Sequence, residues 1–188
     1  MKKILISGDS FAADWTKKYD GIGWVNMLEN DFLVTNVAEA GVSEFKIYQQ
    51  LQRNDIESYD KVIISHTSAY RIPVYEHPIH SKDSLHKNCD LIYSDLKEHK
   101  NNKLAKIGID FYENLFHFEY FIFTYNLIMD KIIKEIPNSI NISFFDSFVS
   151  KEVMCFEEIF LKNKGLINHM NDKGNNMIYK KIKKLINE

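Results

Sequence analysis

Only two cysteines, Cys89 and Cys155, occur in the 188 residues. That is too few for a disulfide framework, and the pair has no metal-type spacing. A secretory leader is not expected either. The basic Met1-Lys2-Lys3 leads into Ile4-Leu5-Ile6, but Ser7-Gly8-Asp9-Ser10 ends the run. Such a leader needs roughly 7–15 apolar residues and a small-residue cleavage site. No stretch approaches the ~20 apolar residues of a membrane span. The aromatic segment 115–129 is interrupted by His117, Glu119, Thr124 and Asn126. Charge of one sign is not in excess either: 24 Lys and Arg stand against 26 Asp and Glu, a formal net charge of −2. Bulk electrostatics therefore gives no reason to expect nucleic acid or an anionic membrane as a partner. These absences predict a soluble, reduced, cytoplasmic protein without membrane insertion.

What is present suits a packed core. Hydrophobic residues make up 45% and aromatics 13%, which argues against disorder. The length fits one domain, residues 1–188, with no internal repeat. Three β-type runs come early: Lys3–Ser7, Phe32–Ala38 and Lys61–Ser65. Between them, segments 23–30 and 43–53 have helical spacing. Trp24, Met27 and Leu28 share one face of the first; Phe45, Tyr48 and Leu51 share one face of the second, which opens on Ser43 as an N-cap. This alternation predicts βαβ units around a parallel sheet, an α/β fold.

From Tyr70 to about Asn102 the pattern loosens into an excursion with Pro73, Pro78 and four histidines, a candidate lid or insertion within about 70–115. A helix is expected from roughly Ile107 to Ile136, packing Phe116, Tyr120, Phe123, Leu127, Ile128 and Ile132 on the sheet. Pro137 ends it. A fourth strand, 140–145, closes on Asp146, and the Lys-rich tail 172–187 reads as an amphipathic helix with Met177, Ile178, Ile182, Leu185 and Ile186 inward.

Working residues in open α/β sheets collect beyond the carboxyl ends of the strands. Here those ends offer Gly8-Asp9-Ser10, Glu39-Ala40-Gly41, His66-Thr67-Ser68 and Asp146. A serine, a glycine turn, a polar cluster and a carboxylate make an inventory for acyl chemistry.

Three blocks carry a resemblance: Gly8-Asp9-Ser10 after the first strand, Asn36 with Gly41 in "NVAEAGVS", and His169 with Asn171 and Gly174 in "INHMNDKGN". The chain resembles the SGNH (GDSL-type) hydrolase family. The resemblance implies a three-layer α/β/α sandwich with a central parallel sheet, flavodoxin-like in order. It implies Ser10 as nucleophile, His169 as base, and an oxyanion hole from the N–H groups of Ser10 and Gly41. Two blocks depart from the family. Its Gly-x-Asn-Asp appears as "SHTSAYR", which puts Ser68 at the oxyanion-hole asparagine, and its Asp three residues before the His is Leu166. The orienting acid would have to come from elsewhere, such as Asp146.

Asp9, His66 and Arg71 are candidate substrate contacts, Arg because its guanidinium matches carboxylate or phosphate. Asp9 also suits a structural turn, and Arg71 a salt bridge closing the excursion. His77, His80, His86 and Cys89 read as a solvated lid or wall rather than a zinc site. No metal or organic cofactor is expected. The resemblance implies an esterase or deacetylase acting on an O-acyl ester of a small molecule or glycan. An O-acyltransferase and a non-catalytic ligand-binding protein of the same fold are the alternatives. Acyl group, alcohol and oligomeric state are left open.

Overall fold

The computed structural model describes residues 1–145, 150–166 and 169–188. Five strands form one parallel sheet in the order β2-β1-β3-β4-β5. They are β1 (Lys3–Gly8), β2 (Leu33–Asn36), β3 (Lys61–His66), β4 (Ile140–Ser143) and β5 (Met154–Cys155). This is the flavodoxin-like order, which reverses direction at β1 and β3 and so opens a crevice beyond their carboxyl ends.

The central strands are apolar on both faces because both are covered. Ile4, Ile6, Ile63, Ile140 and Ile142 pack under α1 (Trp24–Leu28) and α7 (Asp172–Asn187), with Trp24, Ile178, Ile182 and Ile186 fully buried. Leu5, Val62 and Ile64 face the other way, against α2 (Glu44–Gln52) and α5 (Phe118–Glu135), which contribute Ile47, Leu51 and Ile132. The three-layer α/β/α expectation holds. Met154–Cys155 adds a two-residue edge strand that its length alone hides from pattern reading.

The helix phases differ from expectation. The long helix breaks at Leu115–His117 into α4 (Lys103–Asn114) and α5; the His117 ring caps α5 by accepting the Tyr120 N–H. Its buried face is Tyr125, Met129 and Ile132, while Tyr120, Phe123 and Leu127 are more than half exposed. An all-round apolar helix offers two stripes of equal period, and periodicity cannot choose between them. In α2 the Ser43 cap sets the phase so that Glu44, Ile47, Gln50 and Leu51 turn inward and Phe45 outward. Met177 of α7 likewise points away from the core.

The excursion after β3 is folded in rather than solvated. Ile72 and Leu91 pair as an antiparallel bridge. Between them Asp90, fully buried, accepts the N–H groups of Ser43 and Val74 at 2.8 Å and pairs with Lys46. His77, Leu85 and Cys89 are buried with it. The segment continues into α3 (Tyr93–Glu98). The remaining short helix, α6 (Glu157–Lys162), packs against α7. Among the described residues, no helix is long and apolar enough to cross a membrane.

Candidate active site

Beyond Gly8 the chain makes one tight turn, and almost every carbonyl in it is tied down. Ala12 and Ala13 both donate to Asp9 O at 3.0 Å. The Trp15 indole N–H reaches Ser10 O at 2.6 Å, the Trp24 indole reaches Phe11 O at 2.7 Å, and Asn36 reaches Ala12 O at 2.9 Å. Asn36 therefore fastens the end of β2 to the Ser10 turn. Gly8 lies against Ser65 of β3, where a Cβ would stand 2.6 Å from the Ser65 Cβ. From α2, Gln50 caps the strand: Oε1 accepts Ser7 Oγ at 2.7 Å and Gly8 N at 2.9 Å, and Nε2 donates to Gly8 O at 3.2 Å.

His169 arrives from the opposite end of the sequence. Asn171 caps α7 by accepting the Gly174 N–H at 3.0 Å, and Gly174 permits a close approach to Asn163 and Met170. That anchor delivers the His169 ring onto Trp15, 4.1 Å between centroids, and Phe11, 4.8 Å. Phe11 is itself stacked on Phe144 at 4.3 Å. The structure thus brings His169 onto Phe11 and Trp15, the two aromatic residues that follow Ser10. Phe11, Trp15 and His169 line a cavity of ≈ 290 Å³, with Tyr19, Ile22 and Met170 as apolar wall and Asn171 and Asn175 as polar groups. Ser10 itself is 8% exposed and is not among the residues that line this cavity, though its neighbour Phe11 is.

The other predicted residues separate by role. Gly41 sits at φ +79°, a backbone that favours glycine, and a Cβ there would stand 2.6 Å from the Cβ of Cys89. Its carbonyl accepts Arg71 Nη1 at 3.0 Å, while Arg71 Nε donates to Thr67 Oγ1 at 3.1 Å. Arg71 is thus a clasp between the loops after β2 and β3, with no salt bridge among the described residues. Ser68 is half-buried, and with Arg71 it lines a second cavity of ≈ 440 Å³ beside α5, not the one that holds His169. Leu166, at the family's acid position, is 73% exposed. Asp146 lies outside the described residues.

Asp9 and His66 are fully buried, so neither reaches a substrate from where it stands. Asp9 Oδ1 accepts the Phe11 N–H at 3.0 Å and shapes the turn. Burial pushes its carboxyl up to about 6, against the opposing pull of Arg71 and that N–H. His66 Nδ1 meets Glu44 Oε1 at 2.6 Å and Nε2 meets Asn141 Oδ1 at 3.0 Å. The Asn141 amide is oriented by its own donation to Ser139 Oγ at 2.9 Å, so both ring nitrogens face acceptors. Burial disfavours the charged ring, but Glu44 and Asn141 outweigh it, and the His66 pKa is raised. Glu44, Gln50 and Trp15 went unpredicted. The signal for the first two was the Ser43 cap, which turns both onto the inward face of α2.

His77, His80 and Asp95 bring three ligand-type atoms within 4.8 Å of one another. His77 Nδ1 accepts the N–H groups of Ile79 and His80, both at 3.2 Å. Burial pushes the His77 pKa down to about 4, so the ring is neutral and its proton sits on Nε2, which faces Asp95. A metal-ligating His normally does the reverse, donating from its second nitrogen. The donor set therefore does not fit a metal: His80 meets Asp95 Oδ1 at 3.0 Å, and His77 Nε2 lies 3.6 Å from Asp95 Oδ2, beyond a hydrogen bond.

No family model matches the chain, and no curated protein matches it. Among solved structures it is similar to a chain from Desulfitobacterium hafniense DCB-2 described as "a putative lipolytic protein of G-D-S-L family". That likeness spans 98% of this chain and 99% of the other, at 13% identity and a TM-score of 0.42.

Proposed function

We propose that this protein is a serine hydrolase that cleaves an O-acyl ester of a small or carbohydrate substrate. The observation that carries the reading is the meeting of His169, from the loop that leads into α7, with Phe11 and Trp15, the two aromatic residues that follow Ser10. In this reading His169 takes the Ser10 proton as Oγ bonds to the ester carbonyl carbon. The oxyanion is held by the N–H groups of Ser10 and Gly41. The tetrahedral adduct collapses, His169 protonates the departing alcohol, and water activated by the same ring releases the acid. Transfer to a second alcohol in place of water would make it an acyltransferase. The fold needs no cofactor for this sequence of steps. A cavity of ≈ 290 Å³ with aromatic walls suits a small acyl group or sugar ring better than a long lipid chain.

The test is turnover of p-nitrophenyl acetate and acetylated sugars by the natural chain, Ser10→Ala and His169→Ala. Either substitution is expected to lower kcat by about 10³-fold or more. A second reading, a ligand-binding protein without turnover, is favoured by one observation: Ser10 is nearly buried and is not among the residues that line the cavity. It predicts saturable binding that survives Ser10→Ala and no turnover by any form.

A further inference from the structure

We propose that Trp15 is a positioning residue for His169, packing against its ring and stabilising the imidazolium that forms when the base takes a proton. This rests on the reading of His169 as the base. The ring is wedged between two aromatic groups, Trp15 at 4.1 Å and 54° and Phe11 at 4.8 Å and 42°. Neither can drift. Phe11 is stacked on Phe144, and its rim meets Phe160 at 5.0 Å. Trp15 is fixed through its indole N–H on Ser10 O at 2.6 Å, and it opens a short turn capped by Asp14, which accepts Thr16 N at 3.1 Å. One side chain therefore holds the backbone of the nucleophile through its indole N–H and packs its tilted ring against the base.

The electronic consequence follows from the ring quadrupole. Indole is the strongest aromatic partner for a cation, and an imidazolium over it is stabilised where the neutral ring gains little. That preference appears only once His169 carries the Ser10 proton, so it acts on the reaction step rather than on substrate binding. A carboxylate three residues before His169 would act on the ring edge; here that position is the outward-facing Leu166. The other titratable groups around this cavity are Tyr19, Asp20 and Asp172, and His86 meets Trp15 edge-on at 6.2 Å.

The experiment follows the ring C–H resonance of His169, assigned with His169→Gln, through a pH titration of the natural chain, Trp15→Phe and Trp15→Leu. Trp15→Leu should move the midpoint to lower pH by about half a unit or more, and Trp15→Phe should keep most of the original value. On an ester substrate, kcat should fall about tenfold in Trp15→Leu, beyond any change in KM that the altered cavity wall brings, and recover in part in Trp15→Phe. If Trp15→Leu does not fold, Trp15→Met gives the same comparison. An unmoved midpoint overturns the proposal. A moved midpoint in a chain that turns over no ester supports the aromatic hold and overturns the hydrolase reading instead.

Discussion

Glu44 and His66 form a buried ion pair, Oε1 to Nδ1 at 2.6 Å, that joins the first turn of α2 to the last residue of β3. Two charges removed from water are held in place by each other and by Asn141 and the Thr67 N–H. Breaking such a pair from one side costs about 3–5 kcal/mol, because it strands the other charge. Glu44→Leu should lower stability by that order in urea unfolding. The double variant Glu44→Leu/His66→Leu should be less destabilised than the sum of the two singles. Because the His66 pKa is raised on folding, the pair contributes fully below the unfolded value near 6.5 and fades as pH rises through the folded one. Additive singles with no pH dependence would mean the pair is not coupled.

Asp9 carries a cost of the opposite kind. Its carboxyl is pushed up to about 6 by burial, so the folded chain holds a proton there that the unfolded chain releases near 3.8. Stability falls as pH rises across that window. Asp9→Asn, which keeps the acceptor for Phe11 N, should stabilise the chain at pH 7.5 by on the order of 3 kcal/mol. At pH 4, where Asp9 is protonated, the two proteins should melt alike. Equal melting at both pH values would contradict the account.

Gln50 closes the end of β1 with three hydrogen bonds to Ser7 and Gly8. Gln50→Leu keeps the volume but takes the amide away from the buried Gly8 N–H and Ser7 hydroxyl, while the Gly8 carbonyl keeps only the Glu39 N–H at 3.1 Å. A loss of at least about 2 kcal/mol is expected. Because Gly8 leads straight into the Ser10 turn, labelling of Ser10 should slow as well. A Gln50→Leu chain as stable as the natural one would show that β1 ends without this cap.

Much of this was legible in the sequence, and the division is physical. Short apolar runs bounded by turn residues marked four of the five strands, since a buried parallel strand has few other ways to read. Ser10 and His169 were singled out by the resemblance of their blocks to those of the SGNH hydrolases; the Gly8-Asp9-Ser10 triplet alone reads equally as a strand-ending turn. The phase of α5 was not legible: Tyr120, Phe123 and Leu127 match the period of a core stripe as well as Tyr125, Met129 and Ile132 do, and only the sheet chooses. His66 and Arg71 looked like substrate contacts because the chain at those positions leaves a strand end. Where a side chain turns after that depends on partners distant in sequence, Glu44 and Asn141 for one and Gly41 for the other. Trp15 was invisible for the same reason, since His169 lies 154 residues away.

The most direct measurement is mass spectrometry after treatment with a fluorophosphonate, on the natural chain, Ser10→Ala and His169→Ala. The account predicts one adduct, on Ser10, absent from both variants, because the hydroxyl reacts only when His169 takes its proton. No adduct on the folded natural chain, or one that persists in His169→Ala, would contradict the hydrolase reading and leave the Ser10 turn a structural element of a binding protein.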